Sequence, residues 1–232
     1  MNADRLAFDL PGGGRALFTT RAHGNLSSVG GDGFEHGLEA RERLREQLGV
    51  DRLARTYQVH GTTVQRVGNA VQPDTETQPE IEADGQATAL RGVGAMVLTA
   101  DCLPVALGCG NAVAVVHAGW RGLAAGVLEE GVRAVRELGG AGEMVAVIGP
   151  GAGACCYEVG QEVHAAFGGV HRIESPPTLN IDLKAIARER LLAAGVTDVR
   201  DVDACTICDE RFFSYRREGG LAGRQAGVAW LS

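Results

Sequence analysis

The stretch TADCLPVALGCGNAVAVVHAGWRG, from Thr99 to Gly122, decides how this chain is organised. An apolar run over residues 94–98 comes shortly before Asp101 and Cys102, and a second run, 112–116, comes directly before His117. Short valine-rich runs bounded by glycine and polar residues are typical of buried strands. The sequence therefore predicts that two residue types that bind metals lie at the ends of two buried strands.

The segment after His117 predicts a junction between a strand and a helix. Apolar residues of this segment share one face of a helix, at positions 123, 127, 128, 132, 135 and 138. Gly139 suits the left-handed position just past the end of that helix. Such a junction, carrying a histidine, a glycine turn and Arg121, is a typical place for a functional site. Taken singly, however, a cysteine at a strand end is most often a small buried hydrophobe.

Composition limits the function classes. The 232 residues, 45% of them hydrophobic, can bury a substantial core, and without a Ser/Gly/Pro-rich linker we expect one domain over 1–232. The net charge of −7 argues against nucleic-acid binding, which needs clustered Lys and Arg. The apolar runs are too short to cross a bilayer, and the start MNADRLAFDLPGGG does not resemble a signal peptide.

Six cysteines in a chain of this length do not indicate a disulfide framework, so we expect a cytoplasmic protein with reduced thiols. Cys205 and Cys208 have the spacing of half a zinc ribbon or of a redox pair. The chain has no second CxxC and no thioredoxin-like setting. These two cysteines are therefore predicted to be buried structural residues that bind no metal and form no catalytic pair.

The rest of the chain offers weaker candidates. Arg21 follows a predicted strand, where it either binds an anion or is a surface charge. Asp84 is either a turn residue or a site carboxylate. The glycine-rich segment 149–157 lacks the residues of a P-loop. Predicted strands cover 15–20, 53–59, 63–67 and 144–148. Predicted helices cover 35–48, 160–167 and 183–194, the last with Asp182 as its cap. Residues 68–82 are predicted to form a loop, and residues 199–231 strands and turns.

Considered together, His60, Cys102 and His117 suit a zinc ion. Two imidazoles and one thiolate leave the fourth tetrahedral position for water or substrate, as in catalytic zinc sites. A multicopper oxidase is disfavoured because it needs many histidines and this chain has six. The same atoms also allow a metal-free mechanism, in which Cys102 is the nucleophile and a histidine its base.

Several motifs of this chain stand in the order seen in the YfiH family. They are residues 58–61 (QVHG), 83–84 (AD), 99–105 (TADCLPV), 117–122 (HAGWRG), 148–150 (IGP), 157–160 (YEVG) and 213–217 (FSYRR). Proteins of this family were once called polyphenol oxidases or laccase-domain proteins and are now understood as zinc-dependent purine nucleoside phosphorylases. The resemblance extends from Thr19 to Leu231, nearly the whole chain.

The resemblance implies that His60, Cys102 and His117 bind catalytic zinc. It also implies phosphorolysis of adenosine, inosine, guanosine and 5′-methylthioadenosine, with deamination of adenosine as a further activity, so the expected partners are purine nucleosides and phosphate. Arg21 matches the arginine of an early family motif. Together with Arg121 it is expected to bind phosphate. Asp84 is a candidate for contacting substrate, and either Asp84 or Asp101 is a candidate for handling protons.

The resemblance also implies a fold, and two alternative functions stay open beside it. It implies an α+β fold of mixed, largely antiparallel β-sheets covered by helices, similar to cytotoxic necrotising factor deamidases, with the site at the ends of several strands. Since those deamidases are Cys/His enzymes, a metal-free hydrolase using Cys102 stays open, as does a non-catalytic nucleotide-binding protein. The loop after Arg21 is shorter here than in family members, so substrate preference can differ.

Overall fold

The computed structural model describes residues 6–28, 34–68, 81–175 and 178–232. The strands are β1 Ala7–Leu10, β2 Gly14–Phe18, β3 Arg52–Ala54, β4 Gln65–Arg66, β5 Gly85–Thr88, β6 Val93–Thr99, β7 Leu103–Cys109, β8 Ala112–Ala118, β9 Met144–Ile148, β10 Arg172–Ser175, β11 Thr178–Ile181, β12 Asp198–Asp201 and β13 Gln225–Leu231. The helices are α1 Phe34–Leu48, α2 Trp120–Ala125, α3 Val127–Glu137, α4 Gln161–Ala166, α5 Leu183–Ala193 and α6 Tyr215–Glu218. Short 3-10 turns cover Pro11–Gly13, Arg21–His23 and Gly219–Leu221.

Two sheets carry the fold. The first has the strand order β1-β2-β13-β6-β3 and the second the order β12-β9-β7-β8-β5-β4, while β10 and β11 form a separate hairpin. Most neighbouring strands are antiparallel; the parallel pairs are β3 with β6, β4 with β5 and β9 with β12. The predicted α+β fold with largely antiparallel sheets is therefore confirmed.

The two sheets pack face to face, with helices outside them. Phe18 and Val97 from the first sheet share one buried cluster with Val115 and Val147 from the second. Helices α3 and α5 cover the other face of the second sheet, and α1 covers the other face of the first. Because β7 and β8 are covered on both faces, all their residues are buried, which explains their uninterrupted apolar sequences.

The structure corrects several element boundaries. The strand predicted over 53–59 ends at Ala54, because the chain then leaves the sheet and Tyr57 forms only an isolated bridge with Glu82. The single helix predicted after His117 is divided into α2 and α3 at Gly126, whose φ of 102° interrupts the helix. The sequence prediction missed the β10–β11 hairpin and α6, and most of the loop predicted over 68–82 lies outside the described residues.

Three predicted helix ends are confirmed. Asp182 caps α5, where its Oδ1 accepts a hydrogen bond of 3.0 Å from Ala185 N. Gly139 and Gly195 follow α3 and α5 with φ values of 93° and 88°. None of the described helices is long and apolar enough to cross a membrane.

Candidate active site

His60, Cys102 and His117 converge at one end of the two sheets. His60 lies in the irregular segment after β3, Cys102 in the turn between β6 and β7, and His117 at the end of β8. Their ligand atoms all lie within 4.8 Å of one another, and Cys102 Sγ is 3.8 Å from His60 Nε2. The centroids of the two imidazole rings are 4.8 Å apart. This donor set of two nitrogens and one sulfur could bind a metal ion.

Asp84 lies beneath these three residues and orients two of them. The carboxylate is fully buried, and its Oδ1 is 2.8 Å from His117 Nδ1. It also accepts hydrogen bonds from the backbone N–H groups of Val59, His60 and Gly61. A proton on Nδ1 of His117 therefore faces Asp84, which directs Nε2 and its lone pair into the site, the arrangement usual for a metal-binding histidine.

Close packing explains the glycines of the segment 117–122. A Cβ on Gly119 would lie 2.6 Å from His60 Cδ2 and 3.2 Å from Cys102 Sγ, and a Cβ on Gly122 would lie 2.6 Å from Gly61 O. His60 itself has a φ of 61°, which is unfavourable for a residue with a side chain and is common at functional sites. The helix start at α2 thus approaches His60 as closely as glycine allows.

The electrostatics of the site favour an ion pair between the Cys102 thiolate and the His117 imidazolium. Burial raises the pKa of the Cys102 thiol, but the charge of His117 and hydrogen bonds from both imidazoles outweigh burial and lower this pKa to about 6. Burial lowers the pKa of His117, yet the Cys102 thiolate and the hydrogen bond to Asp84 raise it to about 9. Cys102 is therefore a thiolate near neutral pH, the form that binds metals and attacks electrophiles.

A cavity of about 520 Å³ opens beside this centre. All three tyrosines of the chain, Tyr57, Tyr157 and Tyr215, line it. Three arginines line it as well: Arg55, Arg216 and Arg224. Aromatic faces suit a flat heterocycle, and guanidinium groups suit an anion such as phosphate, so this cavity has the chemistry of a nucleotide-like or nucleoside site.

The comparisons with known proteins identify the family. A model of the family described as multi-copper polyphenol oxidoreductase laccase matches residues 13–232. The chain belongs to this family. A Xylella fastidiosa relative named purine nucleoside phosphorylase is 40% identical over an alignment of 238 residues that covers 96% of this chain and 89% of the relative. A Shigella flexneri relative named purine nucleoside phosphorylase YfiH is 36% identical over an alignment of 242 residues that covers 96% of each chain.

A solved structure agrees with this assignment. The crystal structure of a Neisseria meningitidis protein superimposes with a TM-score of 0.84 at 34% identity, covering 98% of this chain and 100% of that one. The resemblance to the YfiH family that the motifs indicated is confirmed by the relative that carries this name.

Arg21 and Arg121, the two arginines that the sequence singled out, have other contacts in this YfiH-family chain. Arg21 pairs with Glu218, donates a 3.0 Å hydrogen bond to Phe212 O and stacks 4.4 Å above the Phe213 ring. Arg121 lies 4.2 Å above the Trp120 ring. Neither lines the cavity, whereas Arg216, which sequence reasoning missed, does so from within the FSYRR motif.

Asp101, which the sequence placed beside Cys102, supports one wall of the cavity. Its Oδ1 accepts a 2.6 Å hydrogen bond from Thr206 Oγ1, and its Oδ2 accepts hydrogen bonds from Ser214 Oγ and Arg216 N. These contacts join the turn before β7 to α6. The φ of Asp101 is 87°, another backbone conformation that this turn requires.

The prediction that Cys205 and Cys208 are buried is wrong. Cys208 is exposed, and both cysteines lie beside Cys155 and Cys156. Sequence reasoning missed this cluster because Cys155 and Cys156 are adjacent, without the usual spacing of two residues, and lie about fifty residues from the second pair. Among the described residues, this cluster and the His60/Cys102/His117 group are the sets of His, Cys, Asp and Glu that could hold a metal ion.

Proposed function

We propose that this protein is a zinc-dependent purine nucleoside phosphorylase. It cleaves adenosine, inosine, guanosine and 5′-methylthioadenosine with phosphate to the free base and ribose 1-phosphate or its 5-methylthio derivative, and deaminates adenosine as a side activity. The observation that carries the proposal is the cavity in which three tyrosines and three arginines surround a His/Cys/His centre. The names of the Xylella fastidiosa and Shigella flexneri relatives support the same activity.

The residues of the centre fit zinc. Two imidazole nitrogens and a sulfur whose pKa is lowered to about 6 are the ligands of an open tetrahedral zinc site. Asp84 orients His117 through a hydrogen bond to its Nδ1, as carboxylates commonly do for metal-binding histidines. When bound, zinc supplies a Lewis-acid charge at this end of the cavity. Copper oxidase chemistry, which the family description suggests, would need further histidines, and among the described residues no other histidine lines the cavity.

The side chains of the cavity suit the two substrates. Tyr57 and Tyr215 are 43% and 55% exposed, so their rings are accessible for stacking on a purine. Burial raises the pKa of Tyr157 to about 12, so its hydroxyl stays protonated and can donate a hydrogen bond to substrate. Arg216 stacks on Tyr157 and donates one N–H to Glu158 O, and its remaining N–H groups are candidates to bind phosphate.

Phosphorolysis requires that phosphate and the sugar be held together without water. The arginines can neutralise phosphate next to the ribose, where positive charge develops as the bond to the purine breaks. Asp84 and Asp101 are each held by several hydrogen bonds, which favours a positioning role over proton transfer for both.

The test measures free purine and ribose 1-phosphate from adenosine, with and without phosphate. The samples are the native protein, a chelated sample and Cys102→Ser. We expect phosphate-dependent cleavage that both treatments abolish, with Zn²⁺ restoring the chelated native protein but not the variant. Full activity after exhaustive metal removal would overturn the zinc mechanism.

The lowered pKa of Cys102 also supports the alternative of thiol catalysis without metal. In that case a chelator leaves activity unchanged and an alkylating agent abolishes it. Inactivity of the zinc-loaded protein on every purine nucleoside, with binding retained, would instead indicate a nucleotide-binding protein.

A further inference from the structure

Four cysteines from two loops meet beside the cavity. Cys155 and Cys156 lie in the loop after β9, and Cys205 and Cys208 in the loop after β12. Their four sulfur atoms all lie within 4.8 Å of one another; Cys208 Sγ is 2.9 Å from Cys156 Sγ and 3.5 Å from Cys155 Sγ. All four are free thiols. In a tetrahedral zinc site with Zn–S bonds of about 2.3 Å, neighbouring sulfurs are about 3.8 Å apart.

The backbone holds the two loops in a fixed register. Gly151 N donates to Ala204 O at 3.3 Å, and Thr206 N donates back to Gly151 O at 3.0 Å. Gly153 fits between the sulfurs, since a Cβ there would lie 3.0 Å from Cys205 Cβ and 3.3 Å from Cys155 Sγ. Hydrogen bonds between the main chains of the two loops therefore hold the four thiols close together.

The surroundings of Cys205 suit a thiolate. Its sulfur accepts a 3.2 Å hydrogen bond from Gly153 N. Peptide N–H groups directed at one sulfur favour its charged form. Arg217 donates to the carbonyl oxygens of Thr206 and Ile207, which brings a positive charge to the same loop.

We propose that Cys155, Cys156, Cys205 and Cys208 bind a structural zinc ion. Binding releases one proton from each thiol and forms four Zn–S bonds, with a net charge of −2 on the centre that Arg217 partly offsets. A four-cysteine set leaves no open position, so this zinc would stabilise the fold and take no direct part in catalysis. This inference is independent of the proposed phosphorylase activity.

The position of this centre gives it a specific structural effect. Tyr157, which lines the cavity, follows Cys156 directly, and Thr206, which follows Cys205, donates to Asp101. Zinc would therefore join the two loops that support one wall of the active-site cavity.

The first test is the zinc content of protein purified under reducing conditions and measured by mass spectrometry. We expect two zinc ions per chain in the native protein, one in Cys102→Ser and one in Cys155→Ser/Cys208→Ser. One zinc in the native protein and none in Cys102→Ser would overturn the proposal, as would a disulfide between two of the four cysteines in reduced protein.

The second test does not require the double variant to fold. Cobalt(II) is added to the Cys102→Ser chain after its metal has been removed with a chelator under reducing conditions; this chain keeps all four cysteines and loses the other thiolate ligand. A tetrahedral four-thiolate site gives intense sulfur-to-cobalt charge-transfer absorption at one equivalent of Co²⁺, and added Zn²⁺ abolishes it. Absence of this absorption in the folded Cys102→Ser chain would overturn the proposal.

Discussion

Asp84 shows how one buried carboxylate organises the site. It is fully buried yet makes four hydrogen bonds, three from the backbone of 59–61 and one from His117. Burial raises the pKa of Asp84, but the hydrogen bond with the His117 imidazole and the backbone hydrogen bonds together outweigh burial and lower this pKa. The residue therefore stays ionised and holds His60 and His117 in place together.

Replacing Asp84 by Asn is expected to weaken zinc binding at the His/Cys/His site about 10- to 100-fold, because the amide keeps the shape but loses the charge that orients His117. Competition with a chromophoric chelator, in the Cys155→Ser/Cys208→Ser background, measures this affinity. Asp9→Asn is the matched control, since Asp9 has a side chain 81% exposed. An unchanged affinity would show that Asp84 does not position the ligand.

The thiol of Cys102 is expected to react at unusually low pH in the metal-free protein. Because its pKa is lowered to about 6, the rate of alkylation by iodoacetamide should rise through pH 6 and level off by neutral pH. For an ordinary thiol with a pKa of about 8.5, the rate of alkylation would instead keep rising beyond neutral pH, up to about pH 8.5. Peptide mass spectrometry after timed alkylation measures the profile, and in His117→Gln the midpoint should move upward. A midpoint near pH 8.5 in the native chain would contradict the ion pair.

At the scale of elements, the junction of β8 and α2 brings His117 and His60 together. Gly119 has a φ of −69°, so alanine there causes no backbone strain, and its effect comes from the clash of the new Cβ with His60 and its close contact with Cys102. We expect Gly119→Ala to fold but to lose at least about 10-fold in zinc affinity, as displacement of one ligand does. Gly68→Ala, where a Cβ meets no atom within 4 Å, is the control; equal affinities in the two variants would refute the steric argument.

The short helix α6 delivers Tyr215 and Arg216 to the cavity, and Asp101 holds its start. If Arg216 binds phosphate, Arg216→Met should raise the KM for phosphate about 10-fold or more, the loss of one charge-assisted hydrogen bond of about 1.5 to 3 kcal/mol. Steady-state kinetics at varied phosphate measure this. Arg43→Met, at an exposed position of α1, should leave the KM unchanged, and the same KM in both variants would exclude Arg216 from phosphate binding.

At the scale of the whole molecule, the His/Cys/His centre joins the two sheets. His60 follows a strand of the first sheet, His117 belongs to the second, and Cys102 lies in the turn between them. An ion bound to all three stabilises only the chain in which the sheets are packed together. Metal binding should therefore contribute directly to the stability of the fold.

Thermal unfolding should consequently depend on zinc concentration. Free zinc at 100 times its Kd is expected to add about 2.7 kcal/mol to the free energy of unfolding. The measurement uses the Cys155→Ser/Cys208→Ser chain, so that only the His/Cys/His site responds, and the same chain with Cys102→Ser is the control. A melting temperature that does not move with zinc in the first chain would contradict binding to the folded state.

The sequence by itself determined the elements of the core and the metal-binding candidates. The apolar runs before Cys102 and His117 correspond to β6 and β8, and both residues lie at strand ends as predicted, because valine-rich runs of this length have few alternatives to a buried strand. Asp182 and Gly139 also mark helix ends correctly, since capping depends on residues close together in sequence.

Only the tertiary structure decided which distant residues share a surface. The pairing of Arg21 with Glu218, the meeting of three tyrosines in one cavity, and the cluster of Cys155 with Cys208 each join segments separated by fifty to two hundred residues. Local periodicity carries no information on such contacts, because they depend on how two sheets and their connecting loops pack. A side chain that follows a strand is predictable from sequence, whereas the group it meets depends on the packing of the whole chain.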